Sequence, residues 1–212
     1  MIIAVDGPAA SGKGTLARRL ARHYGLAHLD TGLLYRATAC RALAKGDPAD
    51  PAVAMAAARA VRAEDLDNPE LRSERVSAAA SVVAAIPAVR AALLAFQRDF
   101  AHHPPAGFAG AVLDGRDIGT VVCPDADAKL FLTATVEARA HRRFKELQEG
   151  GVGSIYQHVL QDMKVRDARD QERKTAPLER AVDALEIDTT ALDADAAFAT
   201  AVDFIARKLG TR

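Results

Sequence analysis

Residues 2–15 read Ile-Ile-Ala-Val-Asp-Gly-Pro-Ala-Ala-Ser-Gly-Lys-Gly-Thr, an apolar run that breaks into a glycine-rich turn and then opens a helical pattern. Gly7 and Gly12 frame Pro8, Ala9, Ala10 and Ser11 directly ahead of Lys13. At that spacing the backbone N–H groups of the loop turn inward on an anion, and the Lys13 ammonium reaches its outer oxygens. A helix starting near Lys13 adds the positive end of its dipole. The strand pattern before the loop and the helical continuation over 16–21 separate it from an ordinary glycine turn. Together they predict a phosphate-binding loop between a buried strand and a helix.

Gly14 stands where Ser or Thr commonly binds magnesium in such loops, and the hydroxyl arrives one residue later, at Thr15. Thr15 is therefore the candidate metal ligand. Gly-Lys-Gly-Thr resembles the loop of nucleoside monophosphate kinases and argues against a GTPase switch. The absence of an Asn-Lys-x-Asp guanine-reading tetrapeptide argues the same way.

The chain has 212 residues, a length that suits one α/β domain with insertions. Apolar runs at 2–5, 26–29, 111–113, 129–132 and 184–187 alternate with helical patterns, which predicts a doubly wound, five-stranded parallel sheet. Ligands of such sheets bind beyond the carboxyl ends of the strands. The polar signals fall there: Asp6-Gly7, Asp30-Thr31-Gly32, Asp114-Gly115-Arg116-Asp117 and Asp188-Thr189-Thr190. Between the second and third strands runs an Ala-rich helical stretch interrupted at Pro48, Pro51, Pro69 and Pro87, expected as an insertion over the sheet edge, with Pro87 opening a new helix. Residues 102–107 read as a surface loop whose paired histidines are solvated rather than metal-binding.

Lys plus Arg and Asp plus Glu each number 28, so no global basic field exists to hold a long polyanion, and nucleic acid is not an expected partner. Positive charge must act locally. Cys40 and Cys123 have no metal-type spacing, no leader is expected ahead of the first strand, and a reduced cytoplasm is the expected compartment. No apolar run approaches the roughly 20 residues that span a bilayer, so no membrane is expected.

Three further constellations carry charge. Asp30 to Arg36 places the Thr31 hydroxyl, Tyr35 and Arg36 near one another, either to clamp a second anion or as a plain helix cap. Asp114-Gly115-Arg116-Asp117 sets two carboxylates and a guanidinium at a strand end, readable also as a magnesium shell or a structural ion pair. Arg166, Arg169, Asp170 and Arg173 share or flank one helical face, and Arg139, Arg142 and Arg143 repeat the arrangement upstream. Gly150, Gly151 and Gly153 between them suit a hinge. A solvated helix laced with salt bridges is the competing reading of this last pair.

Taken together, these motifs resemble the bacterial cytidylate kinases over nearly the whole chain. The resemblance rests on Gly7 to Thr15, on Asp30-Thr31-Gly32 with Tyr35-Arg36, on Ser81 and Arg90 flanking Ala84-Ala85-Ile86-Pro87, on Asp114 to Val122, and on Arg166 to Arg173. It implies a phosphate-binding-loop kinase fold with a core (1–36, 108–140 and 180–212), a helical monophosphate-binding insertion (about 37–100) and a short lid (about 141–179). It implies transfer of the γ-phosphate of ATP to CMP or dCMP with Mg²⁺. It also implies that Thr31, Arg36, Ser81, Arg90, Arg116, Asp117, Arg166, Asp170 and Arg173 surround the acceptor. Two departures stand out. The stretch between Arg36 and Ser81 is short and lacks an alternating hairpin pattern, and Leu33 is bulky where the family has a small residue.

A nucleoside monophosphate is already anionic near neutral pH, so its oxygen attacks without a general base, and catalysis reduces to positioning and charge neutralisation. Lys13 and Mg²⁺ are expected on the β- and γ-phosphates, Arg36, Arg90 and Arg173 on the acceptor phosphate, and Arg142 over the transferring group. Asp114 is a candidate outer-shell partner of the metal. A carboxylate suits the exocyclic amine of cytosine and repels the carbonyl of uracil, which makes Asp117 the candidate base reader with Ser81 beside it. Asp170, by resemblance, accepts from a sugar hydroxyl. The alternatives are a kinase of another small acceptor, such as UMP, AMP or a hydroxylated metabolite, and an ATP-dependent switch. A freely swinging lid suits a monomer.

Overall fold

The computed structural model describes residues 1–210, the Ala63 side chain excepted. Five strands, β1 (Ile2–Asp6), β2 (Ala27–Asp30), β3 (Ala111–Gly115), β4 (Ala128–Thr133) and β5 (Leu185–Asp188), form one parallel sheet in the order β2-β3-β1-β4-β5. Successive side chains of a strand point to opposite faces, so apolar runs without alternation must be covered on both. In β1, Ile3 and Val5 enter one apolar cluster and Ala4 the other.

The first cluster lies under α1 (Lys13–Tyr24) and α8 (Ala194–Leu209), which contribute Leu16, Leu20, Ala201 and Ile205. The buried positions of α1, Leu16, Ala17, Leu20 and Ala21, repeat with helical spacing, and Gly25 at φ 64 ends the helix in the left-handed region. The opposite face is covered by α2 (Thr31–Leu43), α3 (Pro51–Arg59), α4 (Glu74–Val83) and α5 (Pro87–His102). Short 3₁₀ turns, Ala63–Asp67 and Pro69–Arg72, join α3 to α4. Pro51, Pro69 and Pro87 each stand in the first turn of an element, where the missing N–H costs nothing. The regular elements of the stretch are all helices or 3₁₀ turns, in keeping with its lack of alternation. A third, small cluster of Ala140, Leu147, Val159 and Met163 joins α6 (Val136–Glu149) to α7 (Tyr156–Glu172).

Three local details complete the fold, the second of which corrects an expected loop. Helix α2 begins at Thr31 with no intervening turn, so Gly32 lies in its first turn. Helix α5 runs on through His102, and His103 pairs with Asp99 one turn earlier, which shortens the expected loop. Residues Ile118–Val122 close a π-helical turn, with Val122 N–H donating to the Asp117 carbonyl at 3.1 Å.

From β1 the chain crosses toward β2, and from β3 it crosses back past β1 toward β4. The direction reverses beside β1, and the crevice at that reversal is where ligands of open α/β sheets bind. Register puts Asp6 opposite Gly115, and Asp30 opposite Asp114, along its rim. Among the described residues no single helix is long and apolar enough to cross a membrane.

Candidate active site

The loop after β1 is fixed by what each position tolerates. Gly7 has φ 151, and a Cβ there would stand 2.2 Å from the Leu132 carbonyl oxygen, so only glycine lets the chain leave the sheet at this point. Ala10 (φ 56) and Gly12 (φ 87) are left-handed, which turns successive N–H groups toward one side of the loop. A non-glycine residue held at positive φ costs about 1 kcal/mol or more, strain of the kind that collects at ligand sites.

Lys13 donates to the Pro8 carbonyl at 3.2 Å and packs among charges. Burial pulls its ammonium down to about 7, and Arg116 and Arg166 add to the fall while Asp114 and Asp30 oppose it. Burial, with Asp114 nearby, raises the Asp30 carboxyl above the ordinary range. Within this crowded, desolvated set Lys13, Arg116 and Arg166 repel one another, a repulsion that an anion would relieve.

Beside Lys13 opens a cavity of about 610 Å³ between the loop, α4 and α7. Arg36, Ser81, Arg116 and Arg166 reach it, as do Gly14 and Asp114. Arg36 also donates to the Leu71 carbonyl at 2.8 Å, which anchors it to the 3₁₀ turn. Arg116 holds Asp170 at 2.8 Å. Burial alone would raise the Asp170 carboxyl, but Arg116 and Arg166 outweigh it and hold it below the usual carboxylate value. Arg166 is brought down to about 10, first by burial and then by Arg116. Its Nε, together with the hydroxyls of Ser77 and Ser81, is buried without a hydrogen-bond partner. Buried polar groups are normally paired, so three orphans on one cavity mark a place where a polar ligand completes the structure.

Other expected residues lie behind this cavity rather than on it. Asp117, 5 % exposed, pairs with Arg90 and stands 3.6 Å from Arg173. Arg90 sits 5.4 Å from the centre of the Tyr35 ring. Arg173 also donates to the Ala176 carbonyl just past the end of α7. Thr31 spends its hydroxyl on the Asp114 carbonyl at 2.8 Å and is buried. Asp114 in turn meets His28 Nε2 at 2.7 Å.

On the far side of the loop lies a smaller cavity of about 250 Å³, lined by Gly12, Thr15, Leu132, Arg142 and Thr189. Arg142 donates to the Thr189 hydroxyl at 3.0 Å and to its carbonyl, so it faces this cavity and not the larger one. Its neighbour Arg143 takes the larger cavity, because adjacent helical residues project about 100° apart. Arg143 pairs there with Glu74 across the mouth and with Glu146 on its own helix. Thr15 likewise opens on the smaller cavity, whereas the Asp114 carboxylate lies 3.9–4.0 Å from where a Cβ on Gly14 would stand.

Sequence reasoning passed over two groups. Ser77 stands one turn before Ser81, a spacing that could have flagged it. Asp6 accepts from the N–H groups of Ile118 and Gly119 at 2.8 and 2.7 Å and so ties the end of β1 to the π-turn that follows Asp117. Burial lifts its carboxyl to about 7 even against those two bonds. Its position at a strand end was legible, but its partners were not.

The cytidylate kinase family model matches residues 3–207. The chain belongs to the cytidylate kinase family. It is 60 % identical over 208 residues to the cytidylate kinase of Paramagnetospirillum magneticum, an alignment covering 98 % of each chain. It is 56 % identical to that of Rhodospirillum rubrum, again over 98 % of each, and 62 % identical to that of a Methylobacterium strain over 87 % of this chain and 86 % of that one. The fold is also that of an uncharacterised protein from Eubacterium ventriosum, at TM-score 0.55 and 17 % identity over 98 % of each chain. The arginine-lined cavity lies directly against the loop at residues 7–15.

Proposed function

We propose that the protein transfers the γ-phosphate of ATP to CMP or dCMP, giving ADP and CDP or dCDP. The observation that carries this reading is the pair of cavities separated by one phosphate-binding loop. A triphosphate lying on the loop has its base end toward the smaller cavity and its γ-phosphate toward the larger one. The acceptor occupies the larger cavity, which suits a monophosphate by its charge.

Arg36, Arg116 and Arg166 neutralise the acceptor phosphate, and Lys13 holds the outer donor phosphates. No base has to remove a proton, because the acceptor oxygen is already anionic. Ser81 meets the cytosine ring, while Asp117, released from Arg90 and Arg173, accepts from the exocyclic amine. Asp170 receives a sugar hydroxyl. Arg142 steadies the donor side through Thr189 and Ala10, and Arg143 is the α6 arginine that faces the transferring group. Residues 37–100 act as the acceptor-binding insertion and 141–179 as the lid, hinged at Gly150–Gly153, on a chain that works as a monomer.

Among the described residues no three metal-ligating side chains cluster, which fits a Mg²⁺ ion held mainly by phosphates and water. The Asp114 carboxylate, facing the Gly14 side of the loop, would hold one of those waters, and Thr15 opens on the other side. The ion would supply charge neutralisation across the β- and γ-phosphates.

The test is ADP production at fixed Mg·ATP with CMP, dCMP, UMP, AMP and shikimate offered singly, beside a control without acceptor. Fast turnover with CMP and dCMP supports the reading. No acceptor above the control would overturn it in favour of a nucleotide-sensing switch.

A further inference from the structure

Two buried hydroxyls on α4 share the cavity face, and only one of them is accounted for above. Ser77 and Ser81 are each 5 % exposed, and neither Oγ has a hydrogen-bond partner. A serine or threonine inside a helix commonly resolves this by donating to the carbonyl four residues earlier. This chain does so elsewhere. Thr38, fully buried in α2, donates to the Leu34 carbonyl at 2.9 Å, and Thr200 in α8 donates to Ala196 at 2.8 Å. The Ser73 carbonyl, four residues before Ser77, accepts the Ser77 backbone N–H at 2.9 Å but not its hydroxyl. Val76, Ala79, Ala80 and Val83 turn α4 onto the apolar core, while Glu74, Ser77, Ala78 and Ser81 line the cavity. Ser77 therefore keeps an unpaired, buried hydroxyl in the cavity wall about 6 Å along the helix from Ser81, toward the end where Glu74 meets Arg143.

We infer that Ser77 is a second hydroxyl that binds the acceptor, hydrogen-bonding the nucleoside monophosphate between its base, held at Ser81, and the arginine-lined phosphate end. The inference rests on the function proposed above and adds a residue to its acceptor site. A hydroxyl kept dry and unpaired in the free protein destabilises it, and one satisfied by ligand binds ligand more tightly. The two roles have opposite signatures.

The experiment compares wild type with Ser77→Ala and Ser77→Cys by steady-state kinetics and by thermal melting with and without CMP. For Ser77→Ala the KM for CMP should rise about three- to tenfold, with the KM for ATP unmoved and little loss of kcat. The Tm of the free protein should hold or rise, and the increase in Tm produced by CMP should shrink. Ser77→Cys, nearly the same shape with a weaker donor, should fall between. An unchanged KM for CMP in Ser77→Ala, or a lowered Tm of the free variant, overturns the assignment. A wild type that fails to phosphorylate CMP overturns the proposed function itself, and with it this inference.

Discussion

The two cavities flanking the loop at residues 7–15 are built on different principles. The larger is walled by Lys13, Arg36, Arg116, Arg166, Asp30 and Asp114, charged side chains drawn from the ends of β2 and β3 and from α1, α2 and α7. The smaller is walled by small or aliphatic residues such as Gly12, Leu132, Leu192 and Ala197, with Arg142 committed to the Thr189 carbonyl. One side presents a desolvated set of ionisable side chains whose charge burial works against, and the other presents mostly shape and backbone. The difference teaches where selectivity resides. A site made of side chains can be retuned one residue at a time, whereas one made mostly of shape and backbone offers few such positions, Thr189 and Arg142 among them.

The comparison can be attacked where the two cavities meet. Lys13→Ala should lower turnover by about a thousandfold or more while the melting temperature stays near wild type, because Lys13 acts on charge and carries little packing. Turnover like that of wild type would remove the loop from the chemistry. Next in size is Asp117→Asn, which should reduce the preference for CMP over UMP by about tenfold or more, the worth of one good polar pairing to a base. An unchanged ratio of kcat/KM values would show that the carboxylate is a purely structural partner of Arg90 and Arg173.

Thr189→Val probes the other side. The hydroxyl donates toward the Ser11 and Thr133 carbonyls and receives Arg142, so its loss should raise the KM for ATP about three- to tenfold and leave that for CMP unmoved. A change confined to CMP would mean that the cavities have been assigned the wrong way round. The smallest effect is a proton count. Burial holds the Lys13 pKa near 7, so at pH 8 much of the free protein has a neutral Lys13, and a bound phosphate chain favours the charged form. Binding of ADP at pH 8 should therefore take up about half a proton or more, read from calorimetric enthalpies in buffers of different ionisation heat. Proton release would contradict the sign.

Most of the sheet was legible because a buried parallel strand must be apolar on both faces, and the polar residues that end each run, such as Asp6, Asp30 and Asp114, reappear on the crevice rim. The loop was legible for a similar reason, since Gly7 and Gly12 are demanded by local geometry. What escaped was direction. Arg142 and Arg143 are equivalent by composition, and only the packing of α6 decides which faces which cavity. Thr15 sits one residue past the usual hydroxyl position, and that single step carries it to the other side of the loop. The ion-pair reading of Asp117 was open in the sequence, but its partners were not, because Arg90 of α5 and Arg173 just past α7 lie far from it in the chain. Ser77 was hidden in an Ala-rich helix where nothing but its distance from Ser81 distinguishes it.

The division of labour between the cavities is tested most directly by a crystal structure with CMP and ADP bound together. The account predicts the CMP phosphate among Arg36, Arg116 and Arg166, its base against Ser81 with Asp117 turned toward the amine, and the adenine of ADP beside Thr189 and Arg142. CMP in the smaller cavity, or a base pointing away from α4 with Asp117 still paired to Arg90, would contradict it.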